Sequence, residues 1–113
     1  MKKIEIFDPA LCCPTGLCGP NIDPELIRIA AAVEVLKREG VDIERYNLRD
    51  VPQIYVDNAV VNNILNEKGI EALPVTIVDG NLELTGMYPS NQQLTSWTDV
   101  NLDVVTQLLQ NIQ

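Results

Sequence analysis

Three cysteines, Cys12, Cys13 and Cys18, stand within seven positions, and the chain has no other cysteine and no histidine. Three sulfurs at one point suit a soft ion or metalloid that takes three thiolates. They suit zinc poorly, since a structural zinc takes four nitrogen or sulfur ligands and a catalytic one usually recruits histidine. The spacing is not Cys-x-x-Cys, so the redox motif of thioredoxins is absent as written. Cys13-Pro14-Thr15-Gly16 has proline second and glycine fourth, the residue choice of a type I turn. Such a turn carries Cys18 back toward the Cys12-Cys13 pair and makes a three-sulfur cup.

Two plainer readings compete. Free cysteines are often small core residues, but these three stand among turn residues rather than apolar ones. A disulfide is the stronger competitor. Between Cys12 and Cys13 it would close a small strained ring, since adjacent Cα atoms lie only about 3.8 Å apart. Cys13 and Cys18 can be bridged across four intervening residues, which leaves Cys12 over as an odd thiol. On that pairing the chain is a thiol–disulfide oxidoreductase. Binding by three thiols is preferred because the redox spacing is missing.

The elements that must position this loop follow from the flanking sequence. Lys3 to Phe7 reads as a first strand that ends at Asp8-Pro9. After the loop, Asp23 caps a helix whose first position is Pro24, and Glu25 complements the dipole. Leu26, Ile29 or Ala30, Val33 and Leu36 repeat at helical spacing, and Gly40 ends the helix. Val41 to Leu48 reads as a second strand whose alternation changes phase near Arg45. A looser segment around Val51-Pro52 leads to a second helix over about Asp57 to Lys68, stopped by Gly69.

Leu73-Pro74 then precedes the strand Val75 to Val78. Asp79-Gly80 is a residue pair favoured in two-residue hairpins, and Leu82, Leu84 and Thr85 return as a fourth strand. Ser90 and Gln93 form a capping box for a short helix with Leu94 and Trp97. Asn101 caps a last helix with Val105, Leu108, Leu109 and Ile112 inward. A βαβ unit joined to a ββα unit predicts an α/β, thioredoxin-like fold with one mixed four-stranded sheet flanked by helices. In that arrangement Pro74, often cis, sits beside the cysteine loop.

Composition narrows the function. The 113 residues read as a single domain that buries about 60–70% of its unfolded surface without staples. Nothing therefore forces the cysteines into structural disulfides. There is no run long enough to cross a membrane, and the start reads as a strand rather than a signal peptide. A cytoplasmic chain is expected, with its thiols reduced. The net charge of −8 opposes non-specific binding to nucleic acid or anionic membrane, and few aromatics are present to stack on bases. Lys37-Arg38 and Arg45 with Arg49 are scattered among acids.

The whole chain, 1–113, resembles the ArsD family of arsenical-resistance proteins. Phe7-Asp8-Pro9-Ala10-x-Cys12-Cys13-x-Thr15-Gly16-x-Cys18-Gly19 resembles that family's hallmark. Gly40-Val41-x-Ile43-Glu44-Arg45-Tyr46-Asn47-Leu48, Leu73-Pro74 and Asp79-Gly80 stand in register with it. The resemblance implies a metallochaperone rather than an enzyme. It would bind trivalent arsenic or antimony through Cys12, Cys13 and Cys18 and deliver it to the ATPase of an arsenite efflux pump, with no resident cofactor. It also implies a homodimeric trans-acting repressor of the arsenical-resistance operon with weak affinity for operator DNA. The DNA role has little support from the residues, since no helix-turn-helix with a basic recognition helix is apparent. Some members end in vicinal cysteine pairs, whereas no cysteine follows Cys18 here, so one metalloid site is expected. Against the binding reading stands an arsenate-reducing or thiol–disulfide activity using Cys13 and Cys18.

Overall fold

The computed structural model describes residues 2–17, 22–103 and 105. Strand β1 (Lys3–Asp8) is followed by helix α1 (Pro24–Arg38), strand β2 (Asp42–Asn47), helices α2 (Pro52–Asp57) and α3 (Ala59–Lys68), strands β3 (Val75–Val78) and β4 (Asn81–Thr85), and helix α4 (Asn91–Thr98). The four strands lie in the order β2-β1-β3-β4. β1 and β2 are parallel, with Ile4 opposite Ile43 and Asp8 opposite Asn47. β3 is antiparallel to both β1 and β4. This is the expected mixed sheet.

Each face of the sheet has its own core. Ile4, Ile6, Ile43 and Val78 pack under α1 through Ile29, Val33 and Leu36, joined by Leu94 of α4, Leu102 and Val105. Phe7, Val75 and Ile77 pack on the other face against Tyr55 of α2 and Val61 of α3. All four residues of β3 are buried, as befits a central strand covered on both faces.

The local signals read from the sequence account for the element ends. Asp23 accepts from the backbone N–H groups of Glu25 and Leu26, with Pro24 at the first position. Ser90 and Gln93 form the reciprocal capping box. Asp79 and Gly80 both have positive φ (51° and 82°), which lets the Asp-Gly pair turn β3 into β4.

One expectation needs correcting. The segment after β2 holds a separate short helix, α2, and the next helix begins at Ala59 rather than at Asp57. Asn58 makes the break, its extended backbone ending α2 while its side chain accepts from Val61 N–H to start α3. An extended residue between two adjoining helices interrupts the 3.6-residue period, so the pattern alone blurred them. Asn101 accepts from Asp103 N–H at 2.8 Å, as a cap should. The rest of that expected helix, with Leu108, Leu109 and Ile112, lies outside the described residues.

Candidate functional site

The cysteine loop leaves the carboxyl end of β1, where parallel strands commonly present ligand sites. Leu11, just before Cys12, is held by a side chain from the end of β2. Asn47 Oδ1 accepts from Leu11 N–H at 3.0 Å, and Asn47 Nδ2 donates to Leu11 O at 2.7 Å. The same Oδ1 also accepts from Arg49 N–H at 3.0 Å. Nearly buried Asn47 therefore ties the entry of the loop to the turn after β2.

Beyond the cysteine pair the chain folds back as expected. Gly16 N–H donates to Cys13 O at 3.2 Å and closes the turn. Gly16 then docks on the start of α1: its carbonyl accepts from Asp23 N–H at 3.1 Å. With φ at +77°, a Cβ at this position would lie 2.7 Å from Asp23 O and 2.8 Å from Leu26 Cβ, so only glycine fits.

Between these two anchors lie Cys12 and Cys13. Cys12 carries a free, exposed thiol. Cys13 is half-buried and, contrary to the expectation of reduced thiols, disulfide-bonded. Its sulfur lies 3.1 Å from the Thr15 hydroxyl, which is the donor because a disulfide sulfur carries no proton. Cys18, the third expected ligand, lies outside the described residues. Leu73-Pro74 is a cis peptide, as the sequence suggested. It opens β3, whose Val75 stands opposite Phe7 near the end of β1.

Beneath the loop lies a cluster that sequence reasoning missed. Asp8, the last residue of β1, is 1% exposed, and its Oδ2 lies 2.7 Å from Arg45 Nε, itself nearly buried. The contact is an ion pair, and the Tyr88 side chain interacts with the same carboxyl. The guanidinium also stands 5.5 Å from the centre of the Tyr88 ring. Burial pushes the Asp8 pKa above its ordinary 3.8, against the opposing pull of Tyr88 and Arg45. Burial likewise raises the Tyr55 and Tyr88 hydroxyls, and Tyr46 is pushed up to about 12 by burial and by neighbouring Glu5. The Tyr55 hydroxyl lies 2.6 Å from Asp8 O and 2.9 Å from Tyr46 O and shares its proton between them. The signal in the sequence was the phase change at Arg45: a charged residue on the inward parity of β2 needed a buried acid, and Asp8 faces the same way.

Fold and site together define a thioredoxin-like protein that presents a cysteine loop, anchored at both ends, from the carboxyl edge of its sheet. The sequence profile described as "Arsenical resistance operon protein ArsD" matches residues 1–112. An arsenical resistance operon trans-acting repressor ArsD from Escherichia coli is 41% identical over 105 residues, 93% of this chain and 88% of that protein. A putative arsenical resistance operon repressor ArsD from Halobacterium salinarum is 31% identical over 97 residues, 85% of this chain and 90% of that protein. The crystal structure of an arsenical resistance operon trans-acting repressor from Bacteroides vulgatus is 58% identical. It covers 91% of this chain and 97% of its own, with a TM-score of 0.86. The chain belongs to the ArsD family of arsenical resistance operon proteins. Among the described residues, no helix is long and apolar enough to cross a membrane.

Proposed function

We propose that this protein is a metalloid chaperone that binds trivalent arsenic or antimony through Cys12, Cys13 and Cys18 and passes it to the ATPase of an arsenite efflux pump. The observation that carries this reading is the cysteine loop itself. It is pinned by Asn47 on one side and by Asp23 on the other, with the Cys12 thiol exposed between.

The chemistry suits an acidic protein. Arsenous acid near neutral pH is uncharged, so a net charge of −8 does not repel it. The Cys13 disulfide must first be opened: two equivalents of a low-molecular-weight thiol reduce it to two protein thiols and leave as their own disulfide. Three thiols then displace three hydroxyls from the metalloid, each forming an As–S bond, breaking an As–O bond and releasing one water. Oxidation state and net charge are unchanged. The Thr15 hydroxyl beside Cys13 can stabilise a transient thiolate during exchange. Transfer to an acceptor's cysteines follows by replacing the sulfurs one at a time.

Titrating the reduced chain with arsenite or antimonite tests this. One metalloid should bind per chain, and a pump ATPase with its own thiols should then take it. A reduced chain that binds none would refute the reading. Robust disulfide reduction with thioredoxin recycling, abolished by Cys18→Ser, would replace it with an oxidoreductase.

The names of the relatives favour a second role, as a repressor of the arsenical resistance operon. With a charge of −8, DNA contact has to come from a small basic patch doubled in a homodimer. Metalloid at the cysteine loop then acts as the inducer.

A further inference from the structure

Thr15 is the third residue of the turn Cys13-Pro14-Thr15-Gly16, which Gly16 N–H closes on Cys13 O at 3.2 Å. Its hydroxyl oxygen lies 3.1 Å from Cys13 Sγ. The same oxygen accepts from Leu17 N–H at 3.4 Å. A hydroxyl that accepts from a backbone N–H has one lone pair committed and its proton left to aim elsewhere. Here that proton meets the Cys13 sulfur, which in a disulfide has only lone pairs to offer. The backbone around Thr15 is held as well, since Gly16 O accepts from Asp23 N–H and its Cα admits no side chain. The donor is therefore in place before any reaction begins.

A disulfide opens when a thiolate attacks one sulfur and the other leaves with the bonding pair. Attack on Cys13 would expel the sulfur bonded to it, and attack on that sulfur would expel Cys13. Negative charge gathers on whichever leaves. A hydrogen bond to a charged sulfur is stronger than one to a neutral sulfur. The Thr15 contact thus tightens only as Cys13 leaves, which lowers that barrier and not the other. Half-burial of Cys13 acts in the same direction by hindering attack on it.

We propose that Thr15 directs the reductive opening of this disulfide by making Cys13 the sulfur that leaves. A low-molecular-weight thiolate bonds to the sulfur across from Cys13, the S–S bond breaks, and Cys13 takes the electron pair and then a proton from water. A second thiolate removes the adduct as a small-molecule disulfide and frees the second protein thiol. The two electrons come from the two small thiols. After the first step Cys13 stands as a thiol beside the free, exposed Cys12. The two do not oxidise to each other, since adjacent cysteines would close a strained ring. The first product is an adjacent dithiol. On the metalloid reading, that dithiol takes up arsenic with two sulfurs before the third is released. The direction of opening itself needs no metalloid.

Peptide mapping of the native oxidised protein tests the direction. Cys12 is first capped with iodoacetamide, and a short pulse of glutathione then opens the disulfide. Acid stops the exchange, and N-ethylmaleimide marks the thiol set free. The expected result is N-ethylmaleimide on Cys13 and glutathione on the sulfur across from it. Thr15 is exposed, so Thr15→Val removes the hydroxyl and leaves the packing alone. It should shrink the preference about fivefold, part of the worth of a hydrogen bond to a charge, and slow opening by a similar factor. Thr15→Ser keeps the hydroxyl and should restore both. Glutathione mainly on Cys13 in the native protein would overturn the proposal. So would a preference that Thr15→Val leaves unchanged, which would assign the direction to burial alone. Failure of the metalloid reading is distinct: the reduced chain would take up no arsenite, while the mapping is run without metalloid.

Discussion

Asn47 and Leu11, thirty-six residues apart in sequence, are joined by a two-way amide clasp at 3.0 and 2.7 Å that fixes the backbone one residue before Cys12. The clasp exists because β1 and β2 run parallel with Asp8 opposite Asn47. The end of one strand can then reach the loop that leaves the other. Asn47→Ala should destabilise the protein by about 1–3 kcal/mol, the cost of stranding partly buried backbone groups. Asn47→Asp keeps the acceptor but sets a carboxylate against Leu11 O, so it should be worse than alanine. Urea unfolding of the two variants, with metalloid titration of each, checks both the order and the accompanying loss of affinity.

Gly16 holds the other side of the loop. Gly16→Ala places a methyl group into Asp23 O and Leu26 Cβ at a φ of +77°. It should cost at least about 1 kcal/mol of stability. Metalloid affinity should fall by more than the global stability loss explains, because the displaced segment is the one carrying the cysteines. Matched urea-midpoint and binding measurements separate the two effects.

The buried acid gives a pH signature of definite sign. Burial raises the folded pKa of Asp8 above 3.8, so as pH falls the native state takes this proton before the unfolded chain does. The contribution is fully present below 3.8 and is lost as pH rises through the raised folded value. The stability gap between wild type and Asp8→Asn should therefore move in favour of wild type as the solution is acidified from neutrality toward 3.8. Unfolding midpoints across that range test it. A gap moving the other way would show that Arg45 lowers the carboxyl more than burial raises it.

Much of the fold was legible in the sequence because its signals were local. Asp23-Pro24, Ser90 with Gln93, and Asp79-Gly80 each fix an element end through chemistry within four residues. The strand pairing followed from their order. The clasp of Asn47 and the ion pair of Asp8 and Arg45 were not legible, since one joins β2 to the cysteine loop and the other β2 to β1 across long stretches of chain. Only the phase change at Arg45 hinted at the pair. The boundary at Asn58 was lost for a different reason: one side chain stops a helix and starts the next. The cysteine motif marked the place of the candidate site, but its anchors are tertiary.

DNA binding, if operator contact follows the family, has to overcome a charge of −8 with few cations. It should require a dimer, weaken steeply with salt, and be relieved by arsenite or antimonite. Gel shifts on the operon's own promoter at two salt concentrations measure this. Nanomolar binding by a monomer at physiological salt would contradict it.

X-ray absorption at the arsenic edge, on reduced protein carrying one metalloid per chain, tests the three-thiolate site most directly. The prediction is three sulfur neighbours and no nitrogen, the chain having no histidine. Serine at Cys12, Cys13 or Cys18 should each remove most of the affinity, and to a similar degree, because a hard hydroxyl replaces a soft thiolate in a three-ligand shell. A spectrum with two sulfurs and one oxygen in the wild type, together with full affinity in Cys18→Ser, would contradict the account and leave the adjacent pair as the site.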